Sequence, residues 1–226
     1  MQSPEDLEFQ TLGRLTVDNG IGQWIYSPNY NGRWVPDELH YPLRSEEYLV
    51  ISNNGIPGFI MDLMPDSWGK SLIKRLLAPT LDRELTDIDY LRLSQNADRF
   101  GNLTIGERRN PPKNSIAESF QRFNKISNFI ELVDKVRSGE PIDRVNLALF
   151  QTSSLGGARP KITLRDDNHL YLAKPKDADD VVDTPTVEYL CLKFAASKGL
   201  HVCDFLHETL IYLGTPRDLL LLTRFD

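Results

Sequence analysis

At 226 residues the chain is long enough for one large domain or two small ones, and its 40% hydrophobic and 26% charged content is ordinary for a globular protein with a sizeable core. A net charge of −6 argues against a broad nucleic-acid-binding face, so no direct nucleic-acid binding is expected. No apolar run reaches transmembrane length and the acidic start Met1–Leu7 lacks a signal-peptide core, while two cysteines, Cys191 and Cys203, without zinc or redox spacing suit a reducing cytoplasm.

In chain order, Leu12–Val17 and Gln23–Ser27 read as strands joined by the turn signal Asn19-Gly20. Prolines and glycines break the stretch to residue 60 into short pieces. A helix starts at Asp66 or Ser67, either of which can cap it. Trp68, Leu72, Ile73, Leu76 and Leu77 share one face, and Pro79 ends it. A second helix begins near Thr86–Asp89 and carries Ile88, Leu91 and Leu93. The turn Asn96–Gly101 and a strand over Asn102–Ile105 follow. Asn110–Asn114, with two prolines, is the best linker, dividing the chain into 1–110 and 111–226.

Beyond the linker, periodic Phe120, Phe123, Ile126, Ile130, Val133 and Val136 predict a helix over Ser115–Ser138, closed by Gly139. A short helix over Arg144–Phe150 runs into a glycine loop. Strands Ile162–Leu164 and Leu170–Lys174 come next, then an acidic loop, Asp177–Asp183, read as solvated. A helix over Thr186–Lys198 is expected to use Thr184 as cap, and Cys191 within it is read as a small buried hydrophobe. Strands Phe205–Leu213 and Leu219–Thr223 flank a turn. The second half thus reads loop–β–β–α–β–β. The fold class is α+β.

The chemistry concentrates in Ser153–Lys161. Gly156 and Gly157 permit close backbone approach, and consecutive N–H groups in such a loop can face an anion. Arg159 and Lys161 add positive charge nearby. A helix C-cap with solvated cations is the competing account of the loop alone. Neither a Walker loop nor a dinucleotide fingerprint is present. Lys174 ends the following apolar strand, and Glu188 lies in the first turn of the next helix. A strand lysine paired with a helix glutamate holds nucleotide phosphates in protein kinases, and the order glycine loop, lysine, glutamate matches that arrangement. His201 and His207 flank Cys203, but no fourth residue completes a zinc set, so no metal site is expected.

These residues, together with Met64–Gly69, Asp89–Ser94, Asp98–Leu103 and Arg224–Asp226, resemble the HipA-like serine/threonine kinases, toxins of bacterial toxin–antitoxin pairs. The resemblance implies an N-terminal HipA-like subdomain followed by a helical connection and a kinase-like small lobe, an antiparallel sheet plus a helix. Gly156, Gly157, Ala158, Arg159 and Lys161 would cover the ATP phosphates. Lys174 would contact them, paired with Glu188, and Thr223, Arg224 and Phe225 would border the adenine. Ser154 would be the autophosphorylation site, where added charge would repel the phosphates and expel the loop. In the family the catalytic aspartate, asparagine and metal-binding aspartate follow the segment corresponding to Arg224–Asp226. The chain by itself is therefore expected to lack catalysis and to bind ATP and Mg²⁺ weakly or not at all. Implied partners are a HipB-like helix-turn-helix antitoxin or the missing C-terminal half of the kinase. A non-catalytic module that binds an antitoxin or regulates a split kinase in trans is the alternative. Without the large lobe, Leu219–Leu222 is expected to be exposed and to drive self-association.

Overall fold

The computed structural model describes residues 1, 9–30, 32–77, 82–94, 96, 99, 101–108, 121–122, 126–140 and 157–224. The expected helix over 144–150, the linker 110–114, Ser154, Gly156 and Phe225 lie outside them. The described residues mix helices with two sheets, as an α+β fold requires.

The first sheet is the antiparallel meander β1 (Gly13–Asp18), β2 (Ile21–Tyr26) and β3 (Tyr48–Val50). Asn19 and Gly20 both take positive φ, 48° and 77°, which suits a two-residue turn whose twist matches the strands. The inward side chains Trp24, Tyr26, Tyr48 and Val50 pack with Phe59 and Ile60 of α1 (Gly58–Met61) and Leu91 of α3 (Asp87–Leu93). Trp24 meets Tyr26 and Phe59 edge-on at 5.4 and 5.3 Å.

Helix α3 begins with a capping box. Thr86 Oγ1 accepts from the Asp89 amide, while Asp89 Oδ2 accepts from the Thr86 amide at 2.8 Å. At its other end buried Arg99 donates through Nη2 to the carbonyls of Leu91 and Ser94, 2.6 and 3.2 Å away. The segment expected as a strand over Asn102–Ile105 is irregular. Asn96 explains why: its side chain accepts from the Ile105 amide at 2.9 Å and donates to the Ile105 carbonyl at 2.7 Å, taking the place of a neighbouring strand.

The second sheet has the order β4-β5-β6-β8-β7, formed by β4 (Gln121–Arg122), β5 (Ile162–Arg165), β6 (Leu170–Pro175), β7 (Phe205–Tyr212) and β8 (Thr215–Thr223). Its core joins Ile162, Leu164, Ala173, Leu219 and Leu221 to Phe129, Ile130, Leu132 and Val133 of α4 (Ile126–Ser138). It also takes in Trp68 and Leu72 of α2 (Ser67–Leu77), so a helix ahead of the linker packs in the later core.

Helix α4 is shorter than its periodicity suggests. Gln121 and Arg122 pair in parallel with Leu164 and Arg165, so strand pairing overrides helical patterning there. Gly139, at φ 81°, ends α4 as expected.

The expectation for Leu219–Leu222 is corrected. β8 lies between β6 and β7, and Leu219, Leu220 and Leu221 are buried, Leu219 and Leu221 in the core with α2 and α4. β8 is also longer than expected and includes Pro216. The turn Leu213-Gly214 makes Tyr212 and Thr215 the hydrogen-bonded closing pair, which turns the amide position of Pro216 away from β7. β6 pairs no further along β8 than Leu219, so the missing N–H breaks no ladder bond.

Helix α5 (Thr184–Ser197) covers the other face of the sheet through its first turns. Its cap is Asp183 rather than Thr184: Asp183 Oδ1 accepts from the Thr186 amide at 3.1 Å. Cys191 is exposed rather than buried, because Val187, Leu190, Cys191 and Phe194 all lie on sides of α5 turned from the sheet.

Candidate functional site

Strand alternation sends successive side chains of β5 and β6 to opposite faces. Ile162 and Ala173 are register partners and enter the core. Continuing this antiparallel register by one residue sets Lys161 beside Lys174, both on the face toward α5. Like charges opposite one another on a sheet repel. Such a pair persists only where counter-charges stand nearby.

The counter-charges are present. Lys174 Nζ contacts Glu188 Oε1 at 2.5 Å, bridging β6 and the first turns of α5. Thr186 Oγ1, two residues before Glu188, lies 2.8 Å from His207 Nε2 on β7, which pins that end of the helix to the sheet. Lys161 is buried, and burial lowers its pKa. The nearby carboxylates of Asp66 and Glu188 oppose that shift, and the Lys174 charge reinforces it.

Asp66 comes from the N-terminus of α2. Its Oδ1 accepts from the Trp68 amide at 3.2 Å, capping the helix, while its buried Oδ2 has no hydrogen-bond partner. Burial raises its pKa, opposed by the Lys161 charge and by the amides of Trp68 and Gly69. Gly157 lies between the two groups with φ 101°. A Cβ on Gly157 would stand 2.2 Å from Lys161 Nζ and 3.6 Å from Asp66 Oδ2. A side chain there would displace the lysine terminus, and φ 101° itself favours glycine, which together give a specific reason for this residue in the loop.

The predicted residues divide accordingly. Gly157, Lys161, Lys174 and Glu188 converge. Ala158 lies in the same exposed bend. Arg159 turns elsewhere, its Nη1 bound to both carboxylate oxygens of Asp180 at 2.6 and 2.7 Å. Thr223 closes β8, its amide donating to the Asp204 carbonyl at 2.8 Å. Arg224 continues the strand: its amide donates to the Leu170 carbonyl and its Nη1 to Thr163 Oγ1, both at 2.8 Å.

In the acidic loop Asp177–Asp183, Asp179 is exposed but Asp177, Asp180 and Asp183 have structural roles rather than being solvated. Buried Asp177 accepts from Arg137 Nε at 2.9 Å and Nη2 at 2.5 Å, Asp180 holds Arg159, and Asp183 caps α5. These three charges are spent on cations and amides, and the Arg137 and Arg159 partners are ones that sequence proximity does not reveal. Asp66 was legible only as a helix cap; nothing local ties it to Lys161.

Among the described residues, no group of three or more His, Cys, Asp or Glu side chains is placed to hold a metal, and no helix is long and apolar enough to cross a membrane. A separate cleft of about 840 Å³ opens on the N-terminal core, lined by residues that include Trp24, Leu63, Leu91 and Ile105. The two lysines are not part of it.

The glycine loop, the paired strands and the lysine–glutamate bridge all fall in one segment that comparison with known proteins recognises. Residues 153–226 match the family model described as the HipA-like C-terminal domain. No curated protein and no solved structure matches the chain.

Proposed function

We propose, from the HipA-like character of residues 153–226, that this segment is the nucleotide-binding small lobe of a HipA-like serine/threonine kinase. The observation that carries the reading is the Lys174–Glu188 bridge, a strand lysine held by a helix glutamate at 2.5 Å. The glutamate fixes the ammonium at the mouth of the loop, so a phosphate oxygen meets a positioned donor. Lys161 adds a second cation on the same face, and Gly157 keeps the loop backbone close. These residues suit the phosphate chain of ATP, which would supply the transferable phosphoryl group.

The catalytic base and the Mg²⁺ ligands would come from outside these residues, in the same or another chain. Ser154 is the proposed phosphoacceptor of the loop, and a HipB-like antitoxin the proposed partner. Thr223 and Arg224, at the end of β8, would border the adenine with Phe225.

The test is calorimetric titration of the chain with ADP, with and without Mg²⁺. Lys174→Ala should weaken binding at least tenfold, and Glu188→Gln should weaken it less. Equal affinity for wild type and Lys174→Ala would refute the reading. A second reading, a non-catalytic module acting on a partner, draws on the exposed apolar side chains Val187, Leu190 and Phe194 of α5. It predicts partner binding that Lys174→Ala leaves intact and ADP does not alter.

A further inference from the structure

The Lys161 ammonium poses a problem that the phosphate-site reading leaves open. A buried lysine needs a counter-charge. Of the two carboxylates that act on it, Glu188 already binds Lys174 at 2.5 Å. Asp66 remains. It spends Oδ1 on the Trp68 amide and keeps Oδ2 buried without a hydrogen bond. Both groups approach Gly157 without closing an ion pair: the position of an absent Cβ there lies 2.2 Å from the lysine nitrogen and 3.6 Å from that oxygen.

We infer that Asp66 is an internal anion that neutralises Lys161 in the resting protein and competes with an incoming phosphate group for it. The inference rests on the phosphate-site reading and deepens it by adding the residue that caps α2, outside the family-matched segment. An arriving phosphate oxygen finds Lys161 already facing a carboxylate of its own charge sign. Binding therefore requires the ammonium to turn from Asp66 toward the ligand, or a ligand charged enough to outweigh it. Asp66 thereby sets a threshold of ligand charge at the loop. It also makes the position of α2, packed in the second core through Trp68 and Leu72, a determinant of how available Lys161 is.

Asp66→Asn separates this role from capping, because asparagine caps helices as well as aspartate does. The probes are ADP, inorganic tripolyphosphate and adenosine, titrated calorimetrically into the full chain. Asp66→Asn should bind ADP and tripolyphosphate about tenfold more tightly than wild type, with adenosine unchanged. In a Lys161→Met background the Asp66→Asn substitution should change nothing. An ADP affinity that is unchanged or weaker in Asp66→Asn overturns the inference while leaving the phosphate site standing. So does a gain that persists without Lys161, or one shared by adenosine, since either would mark general loosening of the loop. If wild type binds neither ADP nor tripolyphosphate and Asp66→Asn binds neither, the phosphate-site reading falls and this inference with it. Circular dichroism melts of each variant, matching wild type within a few degrees, establish that the comparison is between folded proteins.

Discussion

Asp89→Asn should destabilise the N-terminal core in a pH-dependent way. Asp89 is buried and ties four donors: Arg83 Nη1 at 2.6 Å and Nη2 at 2.8 Å, and the Thr86 amide and hydroxyl, both at 2.8 Å. The paired arginine, helped by the Thr86 bonds and opposed by burial, holds this carboxyl far below the usual carboxylate range. Asparagine keeps one acceptor oxygen for the Thr86 amide, so the capping box survives, but its NH2 would face an arginine donor at a cost of about 1 kcal/mol. The charge-assisted bonds would cost a further ~1.5–3 kcal/mol if both partners were buried. Arg83 is 56% exposed, so solvent screening reduces its share and the total comes to about 2 kcal/mol. In a chain of this size that lowers Tm by roughly 4–8 °C. The sign of the pH effect follows from the depressed folded pKa. The stabilisation is complete above the unfolded aspartate value, near pH 4, and is lost as pH falls toward the folded one. Asparagine cannot titrate, so at pH 3 the gap between wild type and variant should shrink by about 1 kcal/mol. Urea melts at pH 7 and pH 3, followed by tryptophan fluorescence, measure both quantities. Equal midpoints at pH 7, or a gap unchanged at pH 3, would refute the argument.

Two further outcomes test the second sheet. Asp177→Ala removes the buried acceptor of the Arg137 fork and should cost about 2 kcal/mol, read as a lower urea midpoint; a neutral result would return the acidic loop to a solvated role. Gly157→Ala forces a side chain onto φ 101° and displaces Lys161 Nζ, so stability should fall by about 1–3 kcal/mol. ADP affinity should fall as well, and wild-type ADP binding by that variant would show that the lysine terminus does not depend on the glycine.

Some elements were fully legible because their determinants are local. Asn19-Gly20 sets the first hairpin through its own positive φ values, Gly139 stops α4, and the apolar stripe of α2 buries Trp68, Leu72 and Ile73 as its spacing requires. The order of glycine loop, lysine strand and glutamate helix was likewise readable, since alternation along β6 and the first two turns of α5 bring Lys174 and Glu188 to the same side. The misread elements depended on partners distant in sequence. Gln121 and Arg122 belong to a strand because β5 offers them an edge, and Asn102–Ile105 does not because Asn96 satisfies Ile105 first.

Charge shows the division most clearly. Sequence alone placed Arg159 and Lys161 at a candidate anion site, Asp66 at a helix start and Asp177–Asp183 in a solvated loop, with no pairing among them. Chain folding then assigned Arg159 to Asp180, Arg137 to Asp177, and Asp66 to the neighbourhood of Lys161. Backbone torsion and side-chain alternation are set within a few residues, so the sequence by itself determined the strands, turns and helix stops that carry the site. Coulombic partnership and burial depend on which elements pack together. Only the tertiary structure could decide that the loop meets an aspartate from α2 and that the leucines of β8 lie inside the sheet.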